Sequence, residues 1–259
     1  MSLQFDEVTL NRLESLYKTA DAQQRRHAVL EALKLRTGER VLDIGTGAGF
    51  LANEIADAVS PSGQVLGVDN SEAMLDAARR RCADKPWVRF EAGDATRLPV
   101  AEGGFDAAVS VQVYEYVHDV ERALAELKRV LRAGGRSVVV ATDWDGIVWR
   151  SGDETRMNRV LTAFRGHCAH SNLPRTLAGK LRKAGLELAE QKVIPQFNPS
   201  CGPENYSYHM IGIIRDFVLQ KQLVSESDVA DWEEDLYERA RSGEYFFCLN
   251  QYLFVAIRP

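Results

Sequence analysis

Val-Leu-Asp-Ile-Gly-Thr-Gly-Ala-Gly, residues 41–49, decides the fold of this chain. The apolar run that ends at Ile44 is typical of a buried parallel strand. Three glycines at alternate positions then predict a tight turn into a helix near Phe50, because glycine accepts positive φ and leaves no Cβ between backbone and ligand. The G-x-G-x-G spacing differs from the G-x-G-x-x-G of dinucleotide enzymes. Asp43, at the strand's end, is poorly placed beside a pyrophosphate but well placed to accept a hydrogen bond from a ligand's ammonium group.

Composition and charge narrow the range of functions. The chain has 259 residues, enough for one domain with a full core, and 45% of them are hydrophobic. Its formal charge of −5 offers no basic field for a nucleic-acid backbone, so we expect no nucleic-acid partner. We see no signal peptide and no apolar run of the roughly 20 residues that a membrane span needs, and we therefore expect a cytoplasmic protein. The four cysteines form no C-x-x-C pair, which favours reduced thiols and no bound metal.

From residue 40 onward, strand-sized apolar segments alternate with segments of helical periodicity. This alternation predicts right-handed crossovers and helices on both faces of a sheet. We expect an α/β fold, a Rossmann-like, doubly wound, seven-stranded and mostly parallel sheet. The expected strands are 40–44, 64–68, 87–91, 105–111, 136–142, 186–194 and 245–257. The expected helices are 22–35, 50–59, 72–83, 119–132, 174–184, 204–221 and 226–241.

Acids also follow the second and third expected strands. Ligands of open parallel sheets bind beyond the carboxyl ends of the strands, where Asp69 can accept hydrogen bonds from both hydroxyls of a ribose. NAD enzymes share that acid, so Asp69 alone does not separate the two ligands. Asp94, in the segment Ala92-Gly-Asp-Ala, can accept a hydrogen bond from an adenine amino group, which dinucleotide enzymes do not need. Together with the glycine spacing, this acid points away from NAD and toward S-adenosylmethionine.

Four motifs occur in order between about residues 38 and 142: Gly38-Glu-Arg-Val-Leu-Asp-Ile-Gly-Thr-Gly, Gly67-Val-Asp-x-Ser-x-x-Met-Leu, Gly93-Asp-Ala and Glu126-x-x-Arg-Val-Leu-Arg-x-Gly-Gly. In these motifs the chain resembles the class I S-adenosylmethionine-dependent methyltransferases. It looks most like the small-molecule branch with the ubiquinone/menaquinone-biosynthesis enzymes, known as methyltransferase type 11. The resemblance implies in-line methyl transfer to a small, aromatic or lipophilic metabolite at O, N or C. The released product would be S-adenosylhomocysteine.

The resemblance also implies which residues hold the cofactor. Asp43 would lie beside the methionine moiety, Asp69 would bind the ribose, and Asp94 would bind the adenine edge. Gln112 would lie near the methyl group, and one arginine of the 23–26 cluster, for which we take Arg26, could bind the methionine carboxylate. A solvated helix face is the other interpretation of that cluster. The full implied set is Tyr17, Arg26, Asp43, Gly45, Thr46, Gly47, Asp69, Asn70, Met74, Gly93, Asp94, Ala95, Val111 and Gln112.

Acceptor residues are expected in the loops after the fourth and fifth strands. A sulfonium is already an activated methyl donor, so orientation in a dry pocket supplies most of the catalysis, and a base is needed only if the acceptor loses a proton. Many small-molecule relatives carry a histidine about where Glu115 or Tyr116 falls, and this chain departs from that pattern. The expected catalytic residues are Asp143, Tyr116 and His118. The expected acceptor-binding residues are Tyr114, Trp144, Trp149, His167, Tyr206 and His209. Their alternative roles are loop capping for Asp143, a helix start for His118, and core packing for the tryptophans.

We expect the chain to form a single domain, residues 1–259, in four segments. Residues 1–36 form a helical N-terminal cover, in which apolar positions such as Leu10 recur at helical spacing. Residues 37–194 form the cofactor-binding core. Residues 195–243 form a helical lid insertion over the carboxyl ends of the strands, and residues 244–259 form the last strand.

Two other functions compete with the methyltransferase interpretation. A noncatalytic S-adenosylmethionine-binding module would share the cofactor site but transfer no methyl group. An NAD-type oxidoreductase would share the sheet, but it conflicts with the glycine spacing. We expect a monomer or a homodimer whose partner is a small-molecule methyl acceptor.

Overall fold

The structure, a computed structural model, describes residues 13–259. The first part of the expected N-terminal cover, with Leu10, lies outside the described residues. The strands are β1 (Arg40–Ile44), β2 (Gln64–Asp69), β3 (Val88–Ala92), β4 (Phe105–Val111), β5 (Leu131–Thr142), β6 (Val148–Trp149), β7 (Glu187–Asn198) and β8 (Phe247–Ile257). The α-helices are α1 (Ala20–Leu33), α2 (Phe50–Val59), α3 (Glu72–Arg81), α4 (Val120–Val130), α5 (Glu154–Phe164), α6 (Pro174–Lys183), α7 (Tyr206–Gln220) and α8 (Glu226–Arg241). Residues 13–17, which precede α1, are also helical.

All of the described strands belong to one sheet, and most of them are parallel. Strands β3, β2, β1, β4 and β5 lie side by side in that order and pair in parallel. Strand β8 then pairs antiparallel with β5 and, along its other edge, with β7. The short β6 pairs with the start of β8 beyond the end of β5. The predicted doubly wound, mostly parallel fold is therefore confirmed, with β6 as a two-residue addition to the seven expected strands.

Two strands extend several residues beyond their predicted bounds, and one helix was not predicted. Strand β5 begins at Leu131 because that residue already pairs with Phe105, before a register shift in the ladder. Strand β7 continues four residues past its predicted end, to Asn198, within the segment predicted as the helical lid, and it pairs with β8 with a register shift between Leu188 and Glu190. Helix α5 was not predicted; the Asp153 carboxylate caps it by accepting a hydrogen bond from the Arg156 amide at 2.9 Å. Its buried residues pack into the same core as α7 and α8.

One buried carboxylate joins the N-terminal helix to the segment after β7. Asp21, on α1, accepts hydrogen bonds from the Asn198 side-chain amide at 3.0 and 3.1 Å and from the Tyr206 amide at 2.9 Å. The residue before α7, Asn205, makes no capping hydrogen bond with its own side chain. Asp21 therefore satisfies one of the amides that the first turn of α7 leaves free.

Helix α1 packs on a face of the sheet through Val29 and Leu33, and its beginning, together with α5 and α7, reaches the end of the sheet where the parallel strands stop. Residues from the glycine loop, from the segment before α1 and from α7 share one apolar cluster. No helix within residues 13–259 combines the length and the apolar character needed to cross a membrane.

Candidate functional site

A cavity of about 520 Å³ lies at the carboxyl ends of β1, β2, β3 and β4. Its wall contains every residue that the sequence predicted for the cofactor. These are Tyr17, Arg26, Asp43, Gly45, Thr46, Gly47, Asp69, Asn70, Met74, Gly93, Asp94, Ala95, Val111 and Gln112. The structure thus brings residues from five separate chain segments to one place, because parallel strands end at the same edge of a sheet.

The glycine loop after β1 forms the floor of the cavity. Gly45 has φ +71° and donates its amide hydrogen to the Val68 carbonyl at 2.7 Å. A Cβ on Gly45 would lie 2.2 Å from Cγ2 of Val113, so only glycine fits. Gly47 has φ +54°, and a Cβ there would meet no atom within 4 Å. Gly47 therefore faces open space, as expected where a ligand approaches the backbone.

Two acids at the ends of adjacent strands stand beside this loop. Asp43 is 3% exposed and accepts a hydrogen bond from the Thr46 hydroxyl at 2.7 Å. Burial raises the pKa of Asp43 to about 7, and the Thr46 bond opposes that shift. Asp69 accepts from the Gly47 amide at 2.8 Å and from the Ser71 amide at 3.0 Å. Burial also raises the pKa of Asp69, against these backbone bonds.

Asp94 lies in the turn after β3, where the Gly93 amide donates to the Asp69 carbonyl at 3.0 Å. One carboxylate oxygen of Asp94 accepts from the Thr96 hydroxyl at 2.6 Å and the Thr96 amide at 2.7 Å. These bonds lower the pKa of Asp94 and keep the carboxylate ionised. The two bonds from Thr96 hold the turn, and Asp94 presents an anionic hydrogen-bond acceptor in the cavity wall.

The two arginines of α1 differ in their partners. Arg26 pairs with the Glu54 carboxylate at 2.7 Å and donates to the Tyr17 carbonyl at 2.7 Å. Arg25 is 3% exposed, also lines the cavity and donates to the side-chain oxygen of Gln112. Among residues 13–259 no carboxylate lies within ion-pair distance of Arg25, and its Nε has no hydrogen-bond partner. Among the described residues Arg25 therefore carries a buried charge without a counter-ion, whereas Arg26, the residue predicted for the methionine carboxylate, pairs with Glu54.

A polar chain continues from Arg25 across the ends of β4 and β5. Gln112 has φ +55°, a sparsely populated conformation for a residue with a Cβ, and its side-chain amide donates to the Thr142 hydroxyl at 2.8 Å. The Thr142 amide donates to the Glu115 carboxylate at 3.0 Å. Glu115 is fully buried, and its burial raises the pKa to about 7. This chain fixes Gln112, which bridges Arg25 and β5.

The other half of the cavity is apolar and aromatic. Of the residues predicted for the acceptor or for catalysis, it contains Tyr116, Trp144, His167 and Tyr206, with His118 exposed at the rim. Five further apolar residues of this half come from the N-terminal segment, α5 and α7: Leu13, Leu16, Phe164, Met210 and Ile213. Sequence analysis missed these five because their only signal is helical spacing, which core residues share.

Four predicted residues lie outside the cavity wall. Asp143, the first choice for a catalytic acid or base, faces Arg175, whose Nε and Nη2 each lie 3.0 Å from a carboxylate oxygen. Tyr114 is buried against the core beneath α4. Trp149 packs edge-on against Trp232 and Phe247 in the core under α8. The His209 imidazole contacts the Pro203 carbonyl through Nε2 at 2.8 Å. Trp149 therefore lies in the core, which is the alternative role that the sequence left open for the tryptophans.

Residues 42–139 match the methyltransferase domain family. A demethylmenaquinone methyltransferase of Deinococcus radiodurans is 35% identical over 175 residues, which cover 65% of this chain and 71% of that protein. An uncharacterised 37.1 kDa protein from a transposon of Streptomyces fradiae is 44% identical over 142 residues, 55% of this chain and 41% of that protein. The chain thus spans less than half of the second relative.

A similar fold occurs in phosphoethanolamine N-methyltransferase 2 of Haemonchus contortus, solved in complex with S-adenosyl-L-methionine. The TM-score is 0.65 at 18% identity, and the match covers 99% of this chain and 58% of that one. At this identity the comparison supports the fold alone.

Proposed function

The chain belongs to the class I S-adenosylmethionine-dependent methyltransferases, and from this premise we propose that its cavity binds S-adenosylmethionine and transfers the methyl group to a small acceptor. The observation that carries the proposal is the division of one cavity into two halves of different chemistry. The acids and Arg25 line one half, and aromatic and aliphatic side chains line the other. A polar cofactor and an apolar acceptor would meet where the halves join, near Gln112 and Tyr116.

The residues of the polar half fit the cofactor. Gly47 leaves the space that a ligand needs, and Arg25 offers an unpaired positive charge to a carboxylate. Asp43 offers an acceptor to an ammonium group, and Asp69 and Asp94 offer acceptors to ribose hydroxyls and to an adenine amino group. When bound, the cofactor supplies an activated methyl group on a positively charged sulfur.

The apolar half supports an aromatic or lipophilic acceptor, methylated at O, N or C. The acids and bases named in its wall are the tyrosine hydroxyls, His167 and, at the exposed rim, His118. Exclusion of water and alignment of the acceptor with the methyl group would supply most of the rate enhancement, up to roughly 7–11 kcal/mol for well-oriented reactants. Tyr116 borders this half, and the face of its ring could stabilise the cationic sulfur.

The setting of the reaction follows from the same proposal. A small-molecule acceptor is the partner, and the protein acts as a monomer or a homodimer in the cytoplasm. The four cysteines are free thiols, which supports a reducing compartment.

Calorimetric titration with S-adenosylhomocysteine, with NADH as the control ligand, tests the cofactor half of the proposal. We expect micromolar binding of S-adenosylhomocysteine and none of NADH. Absence of S-adenosylhomocysteine binding to folded protein would refute the proposal. Turnover is then measured as methyl transfer from methyl-labelled S-adenosylmethionine to a panel of aromatic metabolites. Cofactor binding without transfer to any acceptor would favour the noncatalytic module instead.

A further inference from the structure

The inner end of the apolar half contains a histidine with an unsatisfied nitrogen. His167 lines the cavity and is 1% exposed. Its Nδ1 lies 2.7 Å from the Phe164 carbonyl. A carbonyl oxygen can only accept, so the ring proton is on Nδ1 and the lone pair is on Nε2. That Nε2 is buried and has no hydrogen-bond partner.

Aromatic contacts fix the orientation of this ring. It stacks on Phe164 with 4.0 Å between ring centres and an angle of 6°. Trp144 meets it edge-on at 4.7 Å, and Tyr116 meets it at 5.8 Å. Burial lowers the pKa of His167 to about 4, so the ring is neutral near pH 7 and acts as a hydrogen-bond acceptor rather than a cation. The chain therefore keeps a rigid, neutral acceptor in an otherwise apolar wall.

A second unsatisfied atom belongs to the neighbouring ring. The indole Nε1 of Trp144 is buried and donates to no partner. An unsatisfied buried polar atom is costly, and a group that both donates and accepts would satisfy both nitrogens. A hydroxyl can donate to His167 while it accepts from Trp144. An indole or amide N–H can satisfy only His167.

We propose that Nε2 of His167 accepts a hydrogen bond from a hydroxyl group of the methyl acceptor, and so selects uncharged aromatic acceptors that carry a hydroxyl. This inference rests on the proposed function and specifies its substrate class. His167 acts in recognition, and no proton transfer to it is required.

Two probes of nearly equal shape isolate this interaction. 2-Naphthol can donate to His167, whereas 2-methoxynaphthalene has an oxygen that accepts but no hydrogen that donates. Both are titrated into the protein saturated with S-adenosylhomocysteine. We expect the wild type to bind 2-naphthol about 10-fold or more tightly than 2-methoxynaphthalene, the range of one hydrogen bond to a buried acceptor.

Two variants assign that preference to Nε2. His167→Asn keeps an amide N–H in the place of Nδ1 for the Phe164 carbonyl but removes the Nε2 lone pair, so the preference should fall below about threefold. His167→Gln can return an oxygen to the Nε2 position and should retain more of the preference than His167→Asn does. S-Adenosylhomocysteine affinity and thermal unfolding serve as folding controls for both variants.

The inference is overturned by equal affinity of the two probes for the wild type, by binding of neither probe, or by a 10-fold preference that survives in His167→Asn. Equal affinity of the two probes for the wild type overturns the inference even where a variant does not fold. These results stay separate from the proposed function, which stands or falls on the binding of S-adenosylhomocysteine itself.

Discussion

Replacing Arg25 by glutamine removes the buried positive charge that has no counter-ion among the described residues. Its guanidinium lines the polar half of the cavity and donates only to the neutral amide oxygen of Gln112. If it binds the carboxylate of the cofactor, the variant loses a charge-assisted hydrogen bond of about 1.5–3 kcal/mol. We therefore expect Arg25→Gln to bind S-adenosylhomocysteine about 10- to 150-fold more weakly.

The assay compares two ligands. 5′-Methylthioadenosine has the adenosine and the sulfur but lacks the amino acid, so it cannot reach Arg25 with a carboxylate. Calorimetry should show a large loss of S-adenosylhomocysteine affinity in Arg25→Gln and a loss below about threefold for 5′-methylthioadenosine, because the lost bond belongs to the carboxylate alone.

Arg26→Gln is the matched control. Arg26 binds Glu54 and the Tyr17 carbonyl, so its loss should weaken both ligands by a similar factor through the position of Tyr17. Equal weakening of the two ligands in Arg25→Gln would show that Arg25 is structural and would refute the reasoning. If Arg26→Gln instead weakened the binding of S-adenosylhomocysteine but not of 5′-methylthioadenosine, Arg26 would be the residue that binds the ligand's carboxylate.

Three further predictions concern the glycine loop and the two acids beside it. Gly45→Ala should lower the free energy of unfolding in urea by about 2–5 kcal/mol, because the new Cβ would clash with Val113 and the backbone there is left-handed. Gly47→Ala should lower it by only about 1–2 kcal/mol, the cost of the left-handed conformation alone. Equal losses in the two variants would contradict the packing argument. Asp69→Ala should weaken S-adenosylhomocysteine at least about tenfold in calorimetry by loss of charged hydrogen bonds, and an unchanged affinity would remove Asp69 from the site. S-Adenosylhomocysteine affinity should fall about tenfold from pH 8 to pH 6, because the pKa of Asp43 is about 7 and only its carboxylate attracts an ammonium group. Asp43→Asn should abolish that pH dependence, and a slope that persists in the variant would point to Glu115, whose pKa is also about 7.

The strand ends could be predicted from the sequence because each depends on local pattern. The apolar run before Gly45 and the acids Asp69 and Asp94 mark carboxyl ends of parallel strands, and topology alone brings such ends together. The N-terminal caps of two helices could also be predicted, because the capping side chain and the amide that it accepts from are three residues apart in the sequence. Asp119 accepts from the Arg122 amide at 2.9 Å at the start of α4, and Ser225 accepts from the Asp228 amide at 3.1 Å at the start of α8.

The rest of the site depends on contacts between distant residues. Asp143 follows β5, as the sequence suggested. Its partner Arg175 lies on α6, and no local sequence pattern predicts that ion pair. Arg25 and Arg26 are adjacent, and a helix turns neighbouring side chains about 100° apart. Both line the cavity, and which of them pairs with a carboxylate depends on how α1 docks on the sheet. Helix α5, which Asp153 caps, was missed because it interrupts the regular alternation from which the other elements were predicted.

The carboxylate of Asp21 has a consequence for how the two covers of the cavity can move. It holds the start of α7 and the end of β7 from its position on α1. Any motion that separates α1 from α7 must break the hydrogen bond from the Tyr206 amide to Asp21, and any motion that separates α1 from the end of β7 must break the two from Asn198. The helix that carries Arg25 and the helix that carries Met210 are thereby mechanically coupled. A displacement of α7 on the acceptor side therefore removes a hydrogen bond from the helix that carries Arg25 on the cofactor side.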